Sequence, residues 1–410
     1  MHAKRLFTRN FTLLVWGQIF SLLGNYTLKF ALSMYVLEQT GSASRFAAIL
    51  AASTVPVILL SPVGGVLADR INRRTIMIAL DTLSGISVGI VWLLWGAANH
   101  LTLITILQII LGIFGAFESP TVQACVPQMH RGENLMRANS VANQVQALAA
   151  MVTPFTGSIA YTLLGIQPVL MLVCGCFFCT ALLELFLVLP SPANATQESL
   201  GKILCGDLKQ SIHFLSREEP MVLQLLLLAA AANFFASGIV SVGLPFLVRT
   251  VLRLPTAWYG AAESVLGTAA VMGSLFIGIW GDKIPLRKQH WLWALFGVGL
   301  LPAAAAFALV LSPALCYAVL LAGLCVGQAT CSMFSVVGLC AIQQRTPEGL
   351  TGKVMAFVMT LALCVQPLGQ VLYGIAFDFC SPAAVLGITG LLVLFAAYSS
   401  RNLFKQLSRF

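Results

Sequence analysis

The sequence contains few charged residues. Only 9% of its 410 residues are Asp, Glu, Lys or Arg, whereas a soluble domain carries roughly 25%. This scarcity excludes a water-soluble fold as the main architecture. The alternating apolar segments of about 10 residues that are typical of membrane β-barrels are missing as well.

Motifs for ATP use and metal-assisted hydrolysis are also absent. The sequence has no Walker A pattern and no His-Glu-x-x-His pattern, so direct ATP drive and a zinc protease site are disfavoured. The histidines are scattered. We expect no enzyme activity, no cofactor and no metal site. An intramembrane enzyme or a non-transporting sensor is kept as an alternative interpretation from another functional class.

Long apolar runs are abundant. The chain is 59% hydrophobic, and the apolar residues fall into runs of about 20, the length of a membrane-spanning helix. The pattern predicts an all-α integral membrane protein with twelve transmembrane helices. Their predicted limits are 11–37, 46–68, 75–97, 101–125, 138–164, 167–189, 221–248, 257–281, 290–311, 313–340, 353–377 and 383–400.

Basic residues predict the orientation. With both termini inside, nineteen of the 23 lysines and arginines lie in inner segments and three in outer loops, which fits the positive-inside rule. We therefore expect a multi-pass protein of the plasma (inner) membrane with cytoplasmic termini. The predicted bundles are 1–189 and 221–410. The predicted cytoplasmic linker, 190–220, contains a short amphipathic helix in which Leu204, Leu208, Ile212 and Leu215 recur at helical spacing.

One charged motif occurs twice. Its second copy starts 213 positions after the first, and Pro154 and Pro367 have the same offset, which indicates an internal duplication. The glycine lets two helices approach closely, while the acid and bases can form a clasp that opens and closes as a gate. Alternatively, the bases are only positive-inside anchors. The predicted gating residues are Gly65, Asp69, Arg70, Arg73 and Arg74 in the first copy, and Asp282, Lys283 and Arg287 in the second.

This repeated motif resembles the signature of the major facilitator superfamily, in which it lies between spans two and three and, in degenerate form, between spans eight and nine. The resemblance covers nearly the whole chain. It implies the major facilitator fold, with two pseudo-symmetric six-helix bundles. It also implies transport by alternating access.

Shorter motifs are similar to those of the drug-proton antiporters in the macrolide-efflux branch of that family. They begin at Glu38, Glu118, Tyr259 and Thr346, and Pro154-x-x-Gly157 matches the end of the antiporter signature, with Thr153 in place of its usual glycine. This resemblance implies export of amphiphilic small molecules of drug or macrolide type, in exchange for protons. The alternative is a lipid, lysolipid or siderophore transporter of the same fold.

Polar residues inside the spans are candidate functional residues, because burying them in a bilayer is costly. Lys29 shares a helical face with Asn25, or its amine reaches the outer headgroups instead. Glu118 attracts cations or protons, or it pairs with Arg137. The predicted substrate-binding residues are Asn25, Lys29, Glu118, Asn233 and Gln366. The predicted proton-coupling residues are Glu263 and Glu118.

The expected partners follow from this interpretation. They are an amphiphilic small-molecule substrate, protons and the lipid bilayer, and no nucleic acid is expected. Because one chain supplies both bundles, we expect a monomer.

Overall fold

The structure, a computed structural model, describes residues 6–97, 99–130, 133–189, 215, 217, 219–280 and 289–407, and at 69, 133, 136, 348, 349, 351–353, 356, 359 and 407 it describes the backbone alone. The described residues form twelve helices. These are α1 (Arg9–Thr40), α2 (Ala43–Arg70), α3 (Arg73–Leu94), α4 (His100–Met129), α5 (Glu133–Leu164), α6 (Ile166–Glu184), α7 (Pro220–Val251), α8 (Thr256–Trp280), α9 (His290–Ala308), α10 (Pro313–Arg345), α11 (Glu348–Phe379) and α12 (Pro382–Leu407).

The predicted all-helical membrane fold is confirmed. Helices α2 to α12 are long and apolar enough to cross a bilayer. The first helix, α1, has 32 residues, which at about 1.5 Å per residue is also sufficient. Its apolar run is interrupted by Gln18, Asn25 and Lys29. Large apolar side chains are exposed along the spans, such as Leu163 at 77% and Phe395 at 69%, as lipid-facing positions require.

Local sequence signals determine the helix ends. The side chain of Asn72 accepts a hydrogen bond from the Arg74 amide at 3.0 Å, and Asn99 caps α4 in the same way; both satisfy amides that a helix start leaves free. Prolines occupy the first positions of α7 and α10, where the missing N–H costs nothing. Gly165 separates α5 from α6 with φ of 76°, a conformation that glycine adopts without strain.

The seventh helix is not a regular α-helix. Ser237–Gly243 and Leu247–Val251 are wound as π-helical turns. Such turns are rare and occur frequently at functional sites. The first of them packs on α11, because a Cβ at Gly238 would lie 2.2 Å from the ring of Tyr373. Only glycine permits this contact.

The chain divides into two compact units. The first comprises Met1–Val36 and Ala52–Leu200, and the second comprises Leu37–Ala51 and Gly201–Phe410. Within the first unit α3 packs on α4 and α6. Within the second unit α9 packs on α10 and α12. The third helix of each predicted bundle therefore has the same partners, as the duplicated sequence leads one to expect.

Glycines bring equivalent helices into backbone contact in both units. A Cβ at Gly64 would lie 2.4 Å from the Ala116 carbonyl oxygen, which joins α2 to α4. A Cβ at Gly273 would lie 2.4 Å from the Ala329 carbonyl oxygen, which joins α8 to α10. Small residues of this kind drive helix association in membranes.

The described residues do not show the close helix approach that was expected at Gly65. Among the described residues, a Cβ at Gly65 would meet no atom within 4 Å. The close approach belongs to its neighbour Gly64, because one step along a helix rotates the residue to a different face.

The start of α2 lies in the second unit and is capped there by a carboxylate. Asp378 of α11 accepts hydrogen bonds from the amides of Ala43 and Ser44, at 2.7 and 3.0 Å, and from the hydroxyls of Ser42 and Ser44. A negative charge at a helix start also interacts favourably with the helix dipole. Nearby in the same unit, Arg249 pairs with Glu38 at 2.6 Å.

Candidate functional site

Three carboxyl groups converge inside the first unit. The hydroxyl of Ser21 on α1 lies 3.0 Å from Glu118 Oε1 on α4 and 3.4 Å from Asp81 Oδ1 on α3. The carboxyl group of Glu184, at the end of α6, lies beside that of Asp81. We call these four residues the acidic network. It connects four helices that are distant in sequence.

The acidic network is deeply placed and has no basic partner among the described residues. Asp81 and Glu184 are each only 2% exposed. Of the ion pairs that the described part of the chain contains, none involves these three carboxyls, and Glu184 Oε2 has no hydrogen-bond partner there. Two neighbouring carboxyl groups repel each other when both are ionised, which favours a proton on one of them. The arrangement is therefore suited to holding and exchanging protons.

The described residues show no pairing of Glu118 with Arg137, which was one of the two alternatives for this residue. Its carboxylate accepts from Ser21, and Arg137 is exposed and forms none of the described ion pairs. From the sequence, Glu118 is a candidate functional residue, Asp81 is assigned to the charge network of the gating motif, and Glu184 is regarded as structural. The missed signal is that all three are acids inside apolar helices.

Asn25 lies beside the acidic network, one turn further along α1. Its amide nitrogen donates to the Ser21 carbonyl oxygen at 3.1 Å and lies 3.4 Å from the Ser21 hydroxyl. Lys29, a further turn away, is exposed. The structure thus brings Asn25 to the network and does not bring Lys29 there.

The second unit contains a neutral polar cavity of about 440 Å³ between α7, α8 and α10. Asn233 from α7 and Ser274 from α8 line it. They face Gln328, Ser332 and Ser335 of α10, and alanines, valines and Cys331 form the rest of the wall. We call it the amide pocket. Its chemistry combines hydrogen-bonding groups with apolar surface, which suits an uncharged part of an amphiphilic molecule.

The amide pocket contains one of the two polar candidates predicted for this unit. Asn233 lines it, but Gln366 does not. The carbonyl oxygen of Gln366 accepts from the Ser237 hydroxyl at 3.2 Å, so this part of α11 is packed on α7. Gln328 was missed, although Gln328, Ser332 and Ser335 follow helical spacing on an apolar helix.

Glu263 lies elsewhere on α8. The hydroxyl of Tyr259, one turn earlier, donates to Glu263 Oε1 at 2.5 Å, and Tyr259 is buried. Glu263 precedes Ser274 by eleven residues, roughly 16 Å along the helix. Glu263 is therefore outside the amide pocket. Its hydrogen-bond partner Tyr259 is neutral, not basic.

The bases of the first gating motif bind helix ends. Arg73 donates to the carbonyl oxygens of Ala68 and Ala124, both at 2.9 Å, and Arg74 donates to that of Leu185 at 2.5 Å. Cations at the carboxyl ends of helices are favourable. Arg70 is exposed. The predicted roles of the Asp69 side chain and of Asp282, Lys283 and Arg287 lie outside the described residues, as does most of the linker 190–220.

A hydrolase-like spacing occurs in α3 without the matching geometry. Gly85-Ile-Ser87-Val-Gly89 has the Gly-x-Ser-x-Gly pattern, which in hydrolases forms a strand-to-helix turn. Here the five residues lie inside a helix, and the Ser87 hydroxyl donates to the Leu83 carbonyl oxygen at 2.7 Å. It is an ordinary helical serine.

Comparison with known proteins identifies relatives along most of the chain. The family model of the Major Facilitator Superfamily matches residues 14–365. Macrolide efflux protein A of Streptococcus pyogenes is 21% identical over 375 residues, covering 89% of this chain and 88% of that protein. Multidrug efflux pump Tap of Mycolicibacterium fortuitum is 24% identical over 364 residues, covering 86% and 85%.

Solved structures agree on the fold. A bacterial homologue of the iron transporter ferroportin superimposes with a TM-score of 0.73 at 15% identity, covering 98% of this chain and 99% of that one. The POT family transporter PepTSo also gives 0.73, at 10% identity and with the same coverage. With the twelve helices and the duplicated motif, these matches establish that the chain belongs to the Major Facilitator Superfamily and is a multi-pass membrane transporter, not an enzyme.

Proposed function

We propose that this transporter exports amphiphilic small molecules of drug or macrolide type, by alternating access and in exchange for protons. The similarity to macrolide efflux protein A and to multidrug efflux pump Tap supports the direction and the substrate class. The acidic network is the observation that carries the coupling. Buried carboxyls without a described base are the groups a membrane transporter uses to relay protons.

The two polar regions have separate tasks in this proposal. Glu118, with Ser21 and Asp81, takes up and releases the coupling proton in the first unit. Asn233 and Gln328 in the second unit hydrogen-bond neutral groups of the substrate, while the alanines and valines of the amide pocket contact its apolar part. Glu263 is assigned a secondary role in coupling.

The orientation and assembly state complete the proposal. The protein lies in the plasma (inner) membrane as a monomer, with both termini in the cytoplasm, because nineteen of its 23 bases then lie on the inner side. Carboxyl-terminal fusions test the orientation. A green fluorescent protein should fluoresce there and an alkaline phosphatase should stay inactive; the reverse pattern contradicts the orientation.

Transport in liposomes tests the function. Purified protein is reconstituted, a pH gradient is imposed, and accumulation of a macrolide panel and a lysophospholipid is measured. We expect macrolide accumulation that stops when a protonophore collapses the gradient. Accumulation that persists without any ion gradient would exclude proton exchange. Movement of the lysophospholipid alone would instead favour a lipid transporter.

A further inference from the structure

A second cavity, of about 610 Å³, lies in the second unit between the start of α9 and the end of α12. It is separate from the amide pocket. The residues that determine its chemistry are His290 and Trp291 on α9 and Leu394, Tyr398, Arg401 and Lys405 on α12. We call it the basic wedge.

A close helix crossing explains why the basic wedge exists. A Cβ at Gly297 would lie 2.8 Å from the Gly390 carbonyl oxygen, so α9 and α12 touch through their backbones there. Trp291 is six residues from this crossing, roughly 9 Å along the helix. Two helices that touch at a crossing move apart on either side of it. The basic wedge fills the space between the start of α9 and the end of α12.

The residues of the basic wedge are ordered along α12 by their distance from the helix crossing. Leu394, Tyr398, Arg401 and Lys405 form one stripe along α12, because they recur every three or four positions. The apolar residue is nearest the crossing and the cations are furthest from it. Trp291 and Tyr398 are 64% and 74% exposed. Tryptophan and tyrosine at a span end occupy the headgroup level of the bilayer.

The described charges that line the basic wedge have one sign. Arg401 and Lys405 are cations, His290 is the third basic residue, and none of the described lining residues is acidic. Arginine binds phosphate through two parallel hydrogen bonds. Basic pockets between helices at the cytoplasmic membrane surface are suited to acidic lipid headgroups.

We propose that the basic wedge binds the headgroup of an acidic phospholipid. The phosphate contacts Arg401 and Lys405, the rings of Trp291 and Tyr398 flank the headgroup, and the acyl chains run along the apolar surface that begins at Leu394. The orientation proposed above assigns this lipid to the cytoplasmic leaflet. Binding to the wedge does not itself depend on that orientation or on the proposed substrate.

Lipid retention by the purified full-length protein tests the proposal. Delipidated protein is exposed to micelles with equal phosphatidylglycerol and phosphatidylcholine, and native mass spectrometry measures bound lipid. We expect at least tenfold preference for phosphatidylglycerol. Arg401→Gln with Lys405→Gln should weaken its binding about 25-fold, since each cation contributes about 1 kcal/mol, or about fivefold.

Three controls make the result specific. Arg137→Gln removes an exposed cation from the first unit and should leave retention unchanged. Trp291→Ala keeps the charges and should weaken binding severalfold, which provides a second variant if the double one misfolds. Glycerophosphoglycerol and inorganic phosphate at millimolar concentration should not displace the lipid.

Several results would overturn the assignment. Equal retention of both lipids would exclude recognition of an acidic headgroup. Equal losses in Arg137→Gln and in the double variant would show a general charge effect. Displacement by inorganic phosphate would identify a site for free anions instead.

Discussion

Several carboxylates of the second unit have a basic partner or a helix start, unlike those of the acidic network in the first unit; Glu263, bonded to Tyr259, is the exception. In the first unit Asp81, Glu118 and Glu184 are linked to one another or to Ser21, without a described basic partner. In the second unit Glu38 has Arg249, Glu219 has Arg345 at 3.9 Å, and Asp378 has the start of α2. Charges that are paired hold structure, whereas a carboxyl without a base is free to change its protonation. The contrast supports the proposal that proton coupling belongs to the first unit.

Neutralising the acidic network should have the largest effect. Glu118→Gln keeps the size of the side chain but cannot carry a proton, so we expect proton-driven export to fall on the order of 100-fold. The rate of substrate exchange without a gradient should stay near that of the unchanged protein. Both rates are measured in proteoliposomes.

Glu263→Gln is the matched change in the second unit. Glu263 is bonded to Tyr259, and we expect less than a tenfold loss of driven export. If the two variants lose export equally, or if Glu263→Gln loses more, coupling does not belong to the first unit.

The close helix contacts at Gly64 and Gly273 should contribute equally to the stability of the two units. Gly64→Ala and Gly273→Ala each place a methyl against a carbonyl oxygen of a neighbouring helix, so each should lower the free energy of unfolding by about 2 kcal/mol. Thermal unfolding in detergent measures it. Gly65→Ala is the control. It meets no described atom and replaces glycine by a better helix former, so a loss there would contradict the geometry.

Substrate recognition should depend on the second unit. Gln328→Ala removes an amide from the amide pocket, and we expect KM to rise about tenfold, the effect of one lost hydrogen bond of about 1.4 kcal/mol. The number of protons exchanged per substrate should not change. Gln343→Ala, at an exposed position on the same helix, should leave KM unchanged. A rise in both variants would show a general effect on α10.

Stability should distinguish paired from unpaired carboxylates. Asp378→Asn removes the charge at the start of α2 and should lower the free energy of unfolding by about 1 kcal/mol. Asp81→Asn removes a buried acid without a base and should cause no loss. Thermal unfolding compares them, and greater destabilisation by Asp81→Asn would contradict the contrast between the units.

The sequence was sufficient to predict the helices and the family. Apolar runs of membrane length marked all twelve spans, including α1, which is interrupted by polar residues. The duplicated motif indicated the fold because its 213-residue offset joins two separate features. End positions were less predictable. The sixth span was expected to reach residue 189, yet α6 ends at Glu184.

The sites required three-dimensional information. Asp81, Glu118 and Glu184 are separated by 37 and 66 positions, and only the packing of α3, α4 and α6 brings them together. The choice between Gly64 and Gly65 depends on helix rotation, which an apolar sequence hardly constrains. Gln328 could have been predicted from the sequence, because the polar stripe of Gln328, Ser332 and Ser335 has the same helical spacing as the polar stripes identified on other spans.

The π-helical turns of α7 affect how residues correspond between this transporter and its relatives. A π-helical turn accommodates more residues than an α-helical turn of the same height. Asn233 precedes the first of these turns, and Ser241 lies within it. A relative with a regular seventh helix would therefore need a gap between them in a residue-by-residue alignment. At 21–24% identity, omitting that gap would pair the wrong residues along the rest of α7 beyond Ser237.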